Sequence, residues 1–272
     1  MTLSIIIVSY NARRHLENCL SSLFETPPMT PHDVTVVDNA STDGSANAVR
    51  AAWPHVQVIA QDRNTGFAAA NNTGIRATHG DLIMLLNSDT IVPRGAVDAL
   101  VQRLTADSQA AVAGPRLIDT AGVAELSFGE MISPFTELRQ KALLALHGWR
   151  VPPVTNFVER ITRREQYVDW LSAACLLVYR NDAEAVGLLD ERYFLYMEDV
   201  DFCASIRALG RRILFTPSAE ITHVRGRSRA AAPDAARAAY RRSHLAFYEK
   251  HHPSWLQLLR AYLWLKGELP DT

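Results

Sequence analysis

Residues able to bind or to do chemistry recur at four regular places in this sequence. Ser9-Tyr10-Asn11, Asp38-Asn39, Arg63-Asn64-Thr65-Gly66 and Asn87-Ser88-Asp89 each follow a short apolar run. One such cluster is ordinary turn chemistry, but four in succession imply a shared polar rim. Asn87 and Asp89 stand two apart directly after Leu82–Leu86, so both could offer oxygen to a divalent cation, magnesium or manganese, from a rigid base. The chain has neither a GxGxxG turn after its first apolar run nor a GxxxxGK[ST] loop. The usual backbone cradles for dinucleotides and triphosphates are therefore missing, and any phosphate must be neutralised another way. Further on come Glu198-Asp199 and then His223 in the run Ile221–Val224. By residue type alone, a single histidine in such a run is more often structural than a ligand.

These residues need elements to hold them. Leu3–Val8 is a β-branched run with no polar face, as expected of a strand covered on both sides. Leu16, Cys19, Leu20, Leu23 and Phe24 recur at helical spacing, with Asn11 placed as an N-cap and Pro27-Pro28 as the stop. Strands are predicted over 34–37, 56–59, 82–86 and 111–114, alternating with helices over 45–53, 67–77 and 94–104. That rhythm implies βαβ crossovers and a largely parallel central sheet flanked by helices. Residues 115–165 alternate poorly and read as a variable insertion. The pattern returns as one strand-like stretch over 167–179, helices over 181–186 and 200–209, and a strand over 213–215.

Composition narrows the class. With 48% apolar and 21% charged residues and only 13 Gly and 13 Pro in 272 residues, collagen, coiled coil and wholesale disorder are excluded. A net charge of −1 supplies no global field for nucleic acid. Three cysteines, an odd number without metal spacing, fit a reducing cytoplasmic location. The initial run LSIIIVSY lacks a basic leader or a cleavage site and reads as a strand, and no apolar run approaches the ~18 residues of a membrane span.

The segments SIIIVSYN, VVDNASTDGS, NTGFAAANNTGI, DLIMLLNSDT, YFLYMEDVDFC and ITHVRGRS, in this order, resemble the inverting family 2 glycosyltransferases, and within them the rhamnosyltransferase-like branch. The resemblance covers about residues 3–229. It implies the GT-A nucleotide-diphospho-sugar transferase fold over residues 1–229, with a nucleotide-binding half (1–114) and an acceptor and catalytic half (115–229), followed by a C-terminal helical extension (230–272). It also implies a nucleotide-diphospho-sugar donor, dTDP-rhamnose first, a Mn²⁺ or Mg²⁺ cofactor, and a surface-polysaccharide or polyprenyl-linked glycan acceptor.

Carried over residue by residue, the resemblance puts the nucleotide on Ser9, Tyr10, Asp38, Asn39, Asn64, Gly66 and Asn72. Asp38 would accept from the N3–H of a pyrimidine base or, alternatively, cap the next helix. NSD stands where the family has its DXD metal motif, so Asp89 would ligate the metal with His223 completing the site. Asn87 departs from the strict pattern and would contact the ribose or a metal-bound water. Asp199 would be the catalytic base, with helix-terminal amides keeping its carboxylate ionised. Glu198 would orient the acceptor, and Trp170 and Ser172 would shape the sugar pocket, although Ser172 replaces a more usual glycine. Arg225, with Arg227 and Arg229, would neutralise the leaving diphosphate.

Residues 220–272 carry nine Lys/Arg against five Asp/Glu, and Trp255, Leu258, Leu259, Tyr262 and Leu265 recur at helical spacing. Such a helix would either lie in a membrane interface, at the inner face of the cell membrane, or dock on the catalytic domain. Two competing functions remain at this level, a sugar-phosphate nucleotidyltransferase and a non-catalytic carbohydrate-binding relative. The first normally has a Gly-rich basic loop where this chain has SYNARRH, and only Asn87 favours the second.

Overall fold

A computed structural model describes residues 1–224 and 233–270. Strands β1 (Leu3–Ser9), β2 (His32–Asp38), β3 (Gln57–Ala60) and β4 (Leu82–Asn87) alternate with helices α1 (Arg13–Glu25), α2 (Ser45–Ala52) and α3 (Phe67–Arg76), as the spacing predicts. After β5 (Thr90–Ile91) and α4 (Ala96–Ala106) come β6 (Ala110–Ile118), β7 (Phe128–Gly129), α5 (Pro134–Gly148) and α6 (Pro152–Ile161). The chain continues through β8 (Gln166–Val168), β9 (Trp170–Leu171), β10 (Cys175–Tyr179), α7 (Arg180–Ala185), α8 (Glu198–Ala208) and β11 (Arg212–His223). Two helices end it, α9 (Pro233–His251) and α10 (Pro253–Leu265).

The main sheet has the order β3-β2-β1-β4-β10-β6-β11-β5, with β8 on β11. β3, β2, β1, β4, β6 and β11 run one way, and β10, β5 and β8 run against them. Successive strand residues point to opposite faces, so continuous apolar runs explain why both faces are covered. Leu3, Ile5 and Ile7 of β1, with Leu82, Met84 and Leu86 of β4, point into one core layer with α1, α2 and α4. Ile6, Ile83 and Leu85 point into the other, which α3, α8 and α9 help to build. Gly74 of α3 lets that helix close on β1, since a Cβ there would sit 2.5 Å from Ile6 Cγ2.

Several expectations are corrected. Residues 115–165 are no loose insertion: β6 runs on to Ile118, and Ala124, Leu126, Phe128 and Ile132 enter the core. The stretch 167–179 is not one strand. It is broken at Ser172–Ala174, after which the chain enters the sheet as antiparallel β10. The strand expected over 213–215 extends through a bulge between Thr216 and Glu220 to reach His223. Asn11 does not cap α1, whose N-cap is Ala12; its amide oxygen accepts from Thr42 N–H at 2.8 Å and so ties the loops after β1 and β2.

Helix α9 docks between α5 and α8. Phe247 is fully buried, and the Asp201 carboxylate of α8 accepts from Lys250 Nζ (2.9 Å), His251 Nε2 (2.6 Å) and Tyr193 Oη (3.2 Å). On the other side, buried Glu137 of α5 meets His244 Nε2 (3.0 Å), Tyr248 Oη (2.8 Å) and Lys141. Burial by itself would raise the Glu137 carboxyl, but His244 and Lys141 overcome it and hold the group down at about 2.

A carboxyl lowered on folding adds stability above its unfolded value of about 4.5 and loses it as pH falls through about 2, a contribution on the order of 3 kcal/mol. Glu137→Gln should therefore cost most near pH 7. Urea unfolding of both proteins should show that difference shrinking steadily between pH 4.5 and 2.

Candidate active site

The strand ends carry the polar residues, and hydrogen bonds between loops gather them. Asn39, 2% exposed, is the hub of the donor side. Its N–H donates to Ser9 O (2.8 Å), its Nδ2 to Asn64 Oδ1 (3.0 Å) and Gly66 O (3.2 Å), and its Oδ1 accepts from Thr65 N–H (2.9 Å). Loops after β1, β2 and β3 are thus fixed to one another. Gly66 has φ +87°, and a Cβ there would lie 2.5 Å from Phe194 O, so only glycine lets the 194–197 segment approach.

Among the described residues, Ser9 Oγ, Asp38 Oδ1, Asn87 Oδ1 and Glu198 Oε2 at this rim are buried without a hydrogen-bond partner. Buried polar groups are ordinarily satisfied, so a cluster of unsatisfied ones marks where a ligand is expected. Asp38 illustrates this. Its Oδ2 accepts from Ser41 N–H at 3.2 Å, closing a turn, while Asp43, not Asp38, serves the start of α2 through Ser45 N–H (3.0 Å).

The other side of the rim is assembled from four distant segments. Asn87 N–H donates to Ala174 O (2.9 Å), Ala173 N–H to Asp199 Oδ2 (3.3 Å), and Val224 N–H to Asp89 O (2.8 Å). Short β5, absent from the sequence reading, pairs His223 with Thr90 and so brings β11 to the NSD turn. His223 is held between two carboxylates, Nε2 3.3 Å from Asp89 Oδ1 and Nδ1 3.2 Å from Glu125 Oε2. Burial opposes its charge, but the hydrogen bonds to Asp89 and Glu125 prevail and push the imidazole up to about 9. Asp89 is correspondingly lowered: burial would raise it, and the His223 contact overrides this.

This point of the fold favours positive charge, which suits a cation. Neighbouring ligand atoms on an octahedral ion with ~2.1 Å bonds lie about 3 Å apart, close to the Asp89–His223 separation. Among the described residues no group of three or more His, Cys, Asp or Glu side chains is gathered to hold a metal. Asp89 and His223 could hold one only with help from ligand oxygens or water, as is usual for magnesium with phosphates.

Helix α8 begins at Glu198, two residues before the predicted start, after a bend in which Tyr196 (φ 69°) and Met197 (φ 71°) are both left-handed. Non-glycine residues in that region are strained, and the bend is pinned. Phe194 O accepts from Phe67 N–H (2.7 Å), Leu195 O from Ser243 Oγ (2.9 Å), and the rings of Tyr196 and Tyr240 meet edge-on at 5.9 Å. Asp199 accepts from the amides of Ala173 and Val200. The helix terminus does not dominate its ionisation as expected. Burial outweighs those amides and raises Asp199, and burial followed by the Asp199 charge raises Glu198 well above the usual range.

Two other expected residues are engaged inside the fold. Asn72 is 1% exposed and spends its amide on Leu189 (2.8 and 3.1 Å) and Glu191 (2.9 Å), beside a polar cavity of about 330 Å³ lined by Arg76, Asp201 and Lys250. Trp170 packs in the core and donates its indole N–H to Glu130 O (2.9 Å). Tyr10 is exposed. Arg225, Arg227 and Arg229 lie outside the described residues. Sequence reasoning missed Glu125, which sits in the stretch taken for an insertion. It also missed His15, whose Nε2 is buried without a partner and whose charge acts on Asp89. Helical spacing from Cys19, whose Sγ contacts Thr90 Oγ1 at 3.4 Å, could have placed His15 near the NSD turn.

Comparison with known proteins bears on this arrangement. Residues 4–157 match the family model described as glycosyl transferase family 2. An N-acetylglucosaminyl-diphospho-decaprenol L-rhamnosyltransferase of Mycobacterium tuberculosis is 32% identical over 268 residues, covering 93% of this chain and 86% of the relative. Among solved structures, a mannosyltransferase of Pyrobaculum calidifontis in complex with GDP-Man and Mn²⁺ superposes with a TM-score of 0.63 at 19% identity, over 97% of this chain and 69% of the other. GalNAc-T7 with UDP, GalNAc and Mn²⁺ gives a TM-score of 0.61 at 16% identity, over 83% of this chain and 44% of that protein. These likenesses establish the GT-A fold. With the family model spanning more than half of it and a rhamnosyltransferase relative along nearly its whole length, this chain belongs to glycosyltransferase family 2, in its rhamnosyltransferase-like branch.

Proposed function

We propose that the protein transfers a deoxyhexose, rhamnose first, from a dTDP- or UDP-sugar to a polyprenyl-linked or surface-polysaccharide acceptor with inversion at the anomeric carbon, dependent on a divalent cation. The observation that carries this reading is the cluster of unsatisfied buried polar atoms on Ser9, Asp38, Asn87 and Glu198 beside the Asp89–His223 pair. The relative's name, a rhamnosyltransferase acting on a decaprenol diphosphate sugar, supports the donor and acceptor classes. A soluble or cell-wall glycan acceptor would leave the same rim unchanged, so acceptor identity rests on that relative.

In this mechanism the free Oδ1 of Asp38 accepts from the base N3–H, a contact that favours uracil or thymine. Asn39 and Asn64 hold the nucleotide loops, and Asp89 and His223 hold the cation, which when bound would neutralise charge on the departing diphosphate. Asp199 takes the proton of the acceptor hydroxyl while that oxygen bonds to the anomeric carbon and the electron pair of the breaking bond goes to the diphosphate. A carboxyl raised by burial is a stronger base than one in water, which suits this role. Glu198, also raised, has an unsatisfied oxygen with which to hold an acceptor hydroxyl.

The acceptor class would also place the enzyme at a membrane. No helix among the described residues is long and apolar enough to cross one. Helix α10, however, exposes Trp255, Leu258, Tyr262, Trp264 and Leu265, and Trp255 continues the surface to exposed Phe135 of α5. Arg260 and Lys266 are the only charged residues within 253–267. An aromatic and basic face of this kind suits the interface of an anionic bilayer.

Calorimetry with dTDP and Mn²⁺ tests the cation. Asp89→Ala should remove metal-dependent nucleotide binding, and unchanged affinity in chelator would overturn the assignment. Asp199→Asn should keep donor affinity while turnover, read as nucleoside diphosphate release across dTDP-, UDP- and GDP-sugars, falls ~10²-fold or more. No release by the unaltered enzyme from any donor with acceptor extract would instead favour a binding protein. Leu258→Glu with Leu265→Glu should cut cosedimentation with phosphatidylglycerol vesicles at least ~10-fold.

A further inference from the structure

We infer that Glu125 is the positioning residue of the metal site: it fixes the ring orientation and tautomer of His223 so that Nε2 faces the cation beside Asp89. This deepens the proposed metal site and rests on it. His223 has two ring nitrogens and two acidic neighbours, Glu125 on Nδ1 at 3.2 Å and Asp89 on Nε2 at 3.3 Å. A metal can bind only a nitrogen that has given up its proton, so a cation on Nε2 takes the place of that proton while Nδ1 keeps its own, and the group that accepts from the remaining N–H decides which nitrogen is which. Asp89 lies in the NSD turn and is the ligand on Nε2. Glu125 stands on the opposite edge of the ring, where its oxygen accepts from Nδ1–H.

The surroundings of Glu125 favour this orientation. It is 5% exposed, and its backbone N–H donates to Leu117 O at 2.8 Å, which anchors it to β6. β6 in turn pairs with β11 through Leu117 opposite Ile221 and Ile118 opposite Thr222. The imidazole therefore rides on β11, and the carboxylate on the segment after β6 that folds back onto Leu117, the residue opposite Ile221. Burying a carboxylate there is costly unless it is paired, and the imidazole N–H provides that partner.

The test uses the full-length protein with dTDP present, reading Mn²⁺ affinity from loss of the free Mn²⁺ electron paramagnetic resonance signal and folding from circular dichroism. Glu125→Gln keeps the reach of the acceptor and loses the charge; Glu125→Asp keeps the charge and withdraws the acceptor by one methylene. We expect E125Q to bind Mn²⁺ within ~3-fold of the unaltered protein and E125D to bind 10- to 100-fold more weakly, the usual effect of losing a partner that orients a metal ligand. In a His223→Ala background, E125D should cause little further loss of Mn²⁺ affinity, because Glu125 acts on the cation through the ring. The inference is overturned if E125D binds normally, if it weakens the His223→Ala protein by as much as the unaltered one, or if E125Q loses Mn²⁺ as completely as Asp89→Ala, which would make Glu125 a ligand. Failure of the unaltered protein to bind Mn²⁺ with dTDP would instead remove the metal site itself.

Discussion

The left-handed bend at Tyr196-Met197 is the constraint on which the site depends. Two consecutive non-glycine residues at φ near 70° are strained, and such strain persists only where surrounding contacts over-determine the backbone. Here those contacts come from every part of the chain. The start of α3 supplies Phe67 N–H and the missing Cβ of Gly66, and α9 supplies Ser243 and Tyr240. The bend delivers Glu198 and Asp199 to the first turn of α8, facing the Ser172–Ala174 turn that separates β9 from β10. Releasing any clamp would let the backbone relax and carry both carboxylates with it.

Electrostatics divides the rim into two regions with opposite tendencies. Around His223 two carboxylates hold a positive charge and Asp89 stays ionised. Around Glu198 and Asp199, burial of two adjacent acids raises both, so that region accepts protons more readily. A donor diphosphate needs the first environment, and an attacking hydroxyl needs the second. The proposed reaction requires both: β11 and the turn after β4 supply the first, and the start of α8 supplies the second.

The C-terminal segment has two characters. Helix α9 is core, with Phe247 fully buried and Asp201 bound to Lys250 and His251. Helix α10 buries Leu263 but leaves most of its large apolar side chains exposed. Of the two readings weighed from sequence, docking describes α9, and the membrane surface is the proposal made for α10.

By itself the sequence determined the local layers. Continuous apolar runs and the βα rhythm specified β1 to β4 and their helices nearly to the residue, because both signals are carried by neighbours in the chain. The order of motifs identified the family, and polar residues after each strand marked the rim. Tertiary structure decided what depends on distant pairing. Antiparallel β10 inserts between β4 and β6, short β5 draws His223 to Asp89, and Glu125 emerges from a stretch without periodicity. Asn72 looked like a rim residue because it follows the NTGF loop, yet its helical position turns it to Leu189. Ionisation was the least legible of all: Asp199 at a helix start should be acidic, but burial is a property of the folded whole, and burial won.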